Sequence, residues 1–83
     1  MKKTDVYVVV DTPKKANKLK KVLDMFGERT YSESSIQDCL DHTENVLGFD
    51  KEENAFMSGY VHQFEESRTE VSIKELRNIL ARE

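Results

Sequence analysis

Apolar residues enter this chain in separated runs, and their spacing changes from one run to the next. Val6-Tyr7-Val8-Val9-Val10 is contiguous, β-branched and aromatic. That is the pattern of a strand covered on both faces, and it places a first strand at about 5–11. After Asp11 the spacing becomes helical. Ala16, Leu19, Val22, Leu23 and Phe26 fall within an arc of roughly 120° at about 100° per residue, with Met25 outside it. Thr12 is a suitable N-cap, Pro13 suits a first helical turn, and Gly27 supplies a C-terminal stop. The spacing predicts a helix over 13–26.

Glu28 to Ser32 has the look of a short second strand around Tyr31. Beyond it, Ile36, Cys39, Leu40, Val46 and Leu47 again share an arc of about 120°. Ser34 with Gln37 has the form of a capping box, and Gly48 ends the pattern, which predicts a helix over 35–47. The stretch 50–65 admits two readings. Phe56, Met57, Tyr60, Val61 and Phe64 cluster within about 140° as a helix, and Asp50 with Glu53 can cap it. As a strand, Phe56, Tyr60 and Phe64 would face one way and Met57 and Val61 the other, and Tyr, Val and Phe favour strands. Gly59 costs a helix about 1 kcal/mol. The angular clustering favours the helix. The last element is well signed: Ser72-Ile73-Lys74-Glu75 is a capping box, Val71 can staple to Leu76, and Ile73, Leu76, Ile79 and Leu80 form one face of a helix over 72–82. Arg68 to Val71 can lead in as a short strand.

These elements describe an α+β domain, with a two- or three-stranded sheet covered by about four helices. No repeat, low-complexity segment or linker divides the 83 residues, so a single small globular domain is expected over 1–83. At this size the stability expected is about 4–12 kcal/mol. Cys39 is the only cysteine, which excludes an intrachain disulfide and points to a reducing, cytoplasmic setting. The five apolar residues after Asp5 are too few for a signal-peptide core, and no run is long enough to span a membrane.

Charge changes the picture further. The net charge is −3. Residues 1–27 carry +4, residues 28–66 carry −8 and residues 67–83 carry +1. Lys14, Lys18 and Lys21 fall within about 60° of one another on the predicted first helix, away from its apolar stripe. Lysines one turn apart can track a phosphate backbone, so they are candidate nucleic-acid or anion contacts; Lys2, Lys3, Lys15 and Lys20 can lie nearby. A solvated helix face is the plainer explanation. No arginine accompanies them, although bidentate contacts usually use Arg, and the sequence pI near 5.4 is low for a dedicated nucleic-acid binder. Asp38, Asp41, Glu44, Asp50, Glu52 and Glu53 make a candidate partner surface, spread on or between the predicted second and third helices. Such a surface can dock on a basic protein groove; ordinary solubility explains the same residues.

Metal and catalytic chemistry find little support. Asp41, Thr43, Asn45 and Glu52 hold positions 1, 3, 5 and 12 of a calcium loop, but Val46 stands where the sharp turn needs Gly. Cys39 and His42 do not converge, and a structural zinc site needs four ligands. No nucleophile elbow, Gly-rich phosphate loop or H-E-x-x-H motif is present. The expectation is a chain without catalytic residues, metal or cofactor.

The segments V-Y-V-V-V-D-T-P-K-K-A, G-F-D-K-E-E-N-A-F-M-S-G-Y and V-S-I-K-E-L-R-N-I-L resemble the style of small accessory proteins encoded by bacteriophages and prophages of Gram-positive bacteria. The resemblance covers most of the chain and transfers no site residues. It implies a non-catalytic protein that binds a host or phage partner in the cytoplasm of a bacterial cell. The function expected is therefore a protein–protein interaction module, an inhibitor or regulator of a host protein, with homodimer formation through an exposed sheet edge as one form of association. The alternative is a nucleic-acid-binding regulator using the Lys face.

Overall fold

A computed structural model of the chain describes residues 1–41, 45–59, 64 and 67–83. After a 3-10 turn (Lys3–Asp5) come β1 (Val6–Val9), α1 (Pro13–Met25), α2 (Ser35–Asp41), β2 (Val46–Asp50), β3 (Ala55–Gly59), β4 (Thr69–Glu70) and α3 (Ile73–Arg82). The sheet is mixed, in the order β3-β2-β1-β4. β1 is antiparallel to β2, with Val8 opposite Leu47, and β2 is antiparallel to β3, with Phe49 opposite Phe56. β4 is parallel to β1 and pairs only with Val6 and Tyr7.

Alternation along the strands decides the layers. Val6, Val8, Val10, Leu47, Phe49 and Phe56 join one hydrophobic cluster with side chains from α1, α2 and α3, so these three helices lie on a single side of the sheet. Leu19, Leu23 and Leu76 are among its most deeply buried members, each contributing about 1.5–3 kcal/mol relative to exposure. On the other side, the Phe64 ring stacks 6.2 Å from Tyr7, and Arg68 lies 4.8 Å over Phe64. Both rest on Gly48, where an added Cβ would stand 2.8 Å from Phe64 Cε1 and 2.9 Å from Arg68 Nη1.

The ends of the chain follow the signals in the sequence. Thr12 Oγ1 accepts from the Lys15 N–H at 3.2 Å, with Pro13 in the first turn. At the other end of α1, Gly27 has φ 65°. There the Glu28 N–H donates to Leu23 O and the Gly27 N–H to Asp24 O, the paired bonds of a Schellman stop. In α3, the Glu75 N–H donates to Ser72 Oγ at 3.1 Å while Glu75 Oε1 accepts from the Ser72 N–H at 3.4 Å. Val71 and Leu76 are both buried, as a hydrophobic staple requires.

The middle requires two corrections. The helix predicted over 35–47 ends at Asp41, and Val46–Asp50 is β2. Val46 and Leu47 match a helical arc by spacing, but β1 offers them an edge to pair with, opposite Val9 and Val8. Gly48 is no helix stop; it is the bare backbone on which Phe64 and Arg68 lie. Ser34 and Gln37 form no box either, since their side chains donate to Asp38 and Asp41.

The helix predicted over 50–65 is also overturned, because Ala55–Gly59 is β3. Its apparent cap is a hairpin turn. Asp50 Oδ1 accepts from the N–H groups of Glu52 and Glu53, as a helix cap would, but Asn54 then takes φ 53° and sends the chain back. Residues 60–63 and 65–66 of that prediction lie outside the described residues. Among the described residues the sheet thus has four strands rather than two or three, and three helices have defined bounds where about four were expected, with Phe64 alone of the predicted 50–65 helix in helical conformation. The short strand expected around Tyr31 shrinks to a single parallel bridge of Thr30 with Phe56, which covers the outer edge of β3. At the other edge of the sheet β4 is only two residues long, and the edge of β1 beyond Tyr7 is not covered by it. Among the described residues no helix is long and apolar enough to cross a membrane.

Candidate functional site

The parallel pair β1 and β4 each lead into a helix, and the two helices pack side by side on the same face of the sheet. β4 reaches only as far as Tyr7, where the Val71 N–H donates to Tyr7 O, so at Val9 the edge of β1 opens between α1 and the first turn of α3. The result is a groove of about 700 Å³. Its floor, the apolar lining between the helices, is Val22, Val71 and Ile73, the first two largely buried in the core; Val9 borders it at the open strand edge, with its side chain alternating to the Tyr7 face. One wall carries Lys15, Lys18 and Lys21 from α1, and the other carries Lys74 and Arg77 from α3. Against these five cations stand two carboxylates, Glu70 and Glu75.

The charges differ in how they are committed. Lys15 Nζ is paired with Asp11 Oδ1 at 2.8 Å, and the hydrogen bond from Lys15 holds the Asp11 carboxyl below its ordinary value. Glu75 is engaged by the Ser72 cap. Among the described residues, Lys18, Lys21, Lys74 and Arg77 have no carboxylate within ion-pair distance. The groove therefore presents two unpaired cations on each wall over a floor that water solvates poorly. Such a surface attracts an anion that also carries apolar groups.

Of the three lysines singled out by sequence, Lys18 and Lys21 line this groove and Lys14 does not. Lys3 is used elsewhere: its Nζ bonds both Glu28 carboxylate oxygens, at 2.8 and 3.0 Å, and sits 4.4 Å over the Phe49 ring. Lys20 lines a separate cleft of about 500 Å³ between α1 and α2, beside Asp24 and Glu33. Sequence reasoning missed Lys74 and Arg77. A signal was present in their spacing of three residues off the Ile73, Leu76, Ile79 and Leu80 stripe, but nothing local says that α3 lies beside α1.

The acidic candidates do not assemble on two adjacent helices. Asp38 and Asp41 are on α2, where they accept from Ser34 and Gln37. Asp50 ends β2, while Glu52 and Glu53 occupy the turn it organises. Glu44 lies outside the described residues, as do His42, Thr43 and His62. With Val46–Asp50 in a strand, 41–52 cannot wrap a calcium ion. Cys39 is fully buried and its Sγ donates to Ser35 O at 3.5 Å. Among the described residues no group of three His, Cys, Asp or Glu side chains is placed to hold a metal.

One polar atom is unusual. Among the described residues, Arg68 Nη1 is buried without a hydrogen-bond partner, wedged over Gly48 and against Phe64. Burial pulls the guanidinium below its usual pKa, with Asp50 and Asp5 pulling the other way. Its attraction to the Phe64 ring offsets part of that desolvation. A scan against protein-family models, a search of curated proteins and a search of solved structures each found no match to this chain.

Proposed function

We propose that this chain is a non-catalytic protein–protein interaction module, a regulator or inhibitor of the kind phages direct at a host protein, working in the cytoplasm through the α1–α3 groove. The observation that carries this reading is the aliphatic floor between two walls of unpaired cations. A merely soluble face needs no concave apolar strip, whereas protein interfaces combine an apolar centre with a charged rim. The resemblance to small phage and prophage accessory proteins points the same way.

The test is affinity capture from nuclease-treated lysate of the cell that carries the gene, with three baits. The wild-type chain and Glu52→Lys/Glu53→Lys retain the same protein, and Lys18→Glu/Lys21→Glu loses it. Retention by all three baits would remove the groove from the reading, and retention of nothing beyond background would remove the reading itself. The nucleic-acid alternative gains one observation, since Arg77 joins Lys18 and Lys21 in the groove and supplies the arginine that α1 lacks. It predicts a mobility shift with DNA or RNA at about 50 mM salt that falls steeply as salt rises.

A further inference from the structure

The two walls of the groove share a spacing. Lys18 and Lys21 on α1, and Lys74 and Arg77 on α3, are each three residues apart, about 4.5 Å along their helix axes. An occupant that satisfies both walls must carry anions along two flanks, with an apolar strip between them for the floor. A helix with an apolar stripe bordered on both sides by Glu or Asp has that arrangement. An extended segment sends alternate side chains to opposite faces and cannot flank one strip so evenly.

Nucleic acid fits less well. Single strands are held by stacking bases on aromatic rings, and none of the lining residues is aromatic. A duplex presents a charged phosphate backbone and no apolar strip along it, so it would leave Val22 and Ile73 unused. Glu70 and Glu75, in the same lining, would face its phosphates. A peptide can place its carboxylates opposite the cations and leave those two positions alone.

Resting on the reading of the groove as the protein-binding surface, we propose that its occupant is a short acidic amphipathic helix of the partner protein. Leu-type side chains lie on the aliphatic floor, and carboxylates on either flank meet Lys18 and Lys21 on one side and Lys74 and Arg77 on the other. Lys15 is held back by Asp11, so Asp11 limits the charge offered to the ligand.

The experiment uses fluorescence anisotropy with the full chain and labelled helical peptides. One peptide carries a Leu stripe flanked by Glu, a second replaces every Glu with Gln, and a third replaces every Leu with Ser. Single-stranded and duplex DNA serve as comparison probes. The Leu/Glu peptide binds with micromolar affinity, and the Gln and Ser peptides each bind about tenfold or more weakly. Lys18→Glu/Lys21→Glu and, independently, Lys74→Ala/Arg77→Ala weaken the Leu/Glu peptide by about tenfold, with thermal melts confirming that each variant is folded. Asp11→Asn tightens it by about two- to threefold by releasing Lys15.

Equal binding of the Gln or the Ser peptide overturns the proposal, and so does tighter binding of DNA. Self-association that the Lys18→Glu/Lys21→Glu variant abolishes assigns the groove to a second copy instead, and overturns it too. If no peptide binds while groove-dependent capture from lysate persists, the occupant's chemistry falls and the interaction reading stands. If capture is groove-independent, the reading itself falls.

Discussion

The cationic groove and the acidic middle of the chain both begin as an excess of one charge along the sequence, +4 over residues 1–27 and −8 over 28–66. On the folded chain they diverge. Lys18 and Lys21 are carried on one thirteen-residue helix, whose orientation is set by Ala16, Leu19, Val22 and Leu23 in the core, and α3 meets them from across the groove. Among the described residues, Asp38, Asp41, Asp50, Glu52 and Glu53 are divided among α2, the end of β2 and a hairpin turn, where several serve local structure. A run of charge contributes to a surface when a single buried stripe orients the helix that carries it, as it does for Lys18 and Lys21. Where the chain reverses, charge is distributed by the turn, and among the described residues the larger excess is scattered, with Glu28 and Glu33 lining the cleft between α1 and α2 and Glu52 and Glu53 in the hairpin turn.

That contrast can be broken from either side. The largest effect is expected at Leu19, which is fully buried and seats α1 against the core. Leu19→Ala costs about 2–5 kcal/mol, a large share of the roughly 4–12 kcal/mol expected for a domain of this size. Urea denaturation measures it, and a loss under about 1 kcal/mol would mean that the α1 stripe does not hold the groove wall.

Gly48→Ala strikes the other region. The new methyl group meets Phe64 and Arg68, and Phe64 in turn packs on Tyr7, so the clash has little room to relax. A cost of about 1–3 kcal/mol is expected. Because Gly48 lies on the face away from the groove, the folded variant binds a groove ligand within about twofold of wild type. A larger loss of binding would show that the two regions are coupled through the sheet.

The smallest effect concerns Asp11, whose carboxyl is lowered from its ordinary value of 3.8 by the bond from Lys15. A depressed carboxylate pKa contributes stability above the ordinary value and loses it as pH falls through the lower, folded one. The group is fully exposed, so stability barely changes and side-chain NMR is the suitable measurement. The titration midpoint lies below the ordinary value, and Lys15→Met returns it there.

Much of this was legible in the residues. Thr12-Pro13 and Gly27 mark α1, Ser72 and Glu75 mark the start of α3, and β1 is a contiguous run that only a strand explains. Each of these signals is satisfied by atoms within a few residues of itself. The hairpin misled because its first bonds, from Glu52 and Glu53 to Asp50, are those of a helix N-cap; Asn54 alone diverts it. Lys18 and Lys21 were legible as candidates, whereas Lys74 and Arg77 became part of the site only through α3's position beside α1.

The sequence by itself determined the two end units, β1 with α1 and the capped start of α3, because caps, stops and apolar stripes are short-range bonds and periodicities. Tertiary structure alone decided that Val46–Asp50 and Ala55–Gly59 are extended, since strands become stable only when another strand supplies their hydrogen bonds. It decided the groove as well. The parallel pairing of β1 with β4, residues 63 positions apart, brings the two helices together, and no local signal encodes a pairing over that distance.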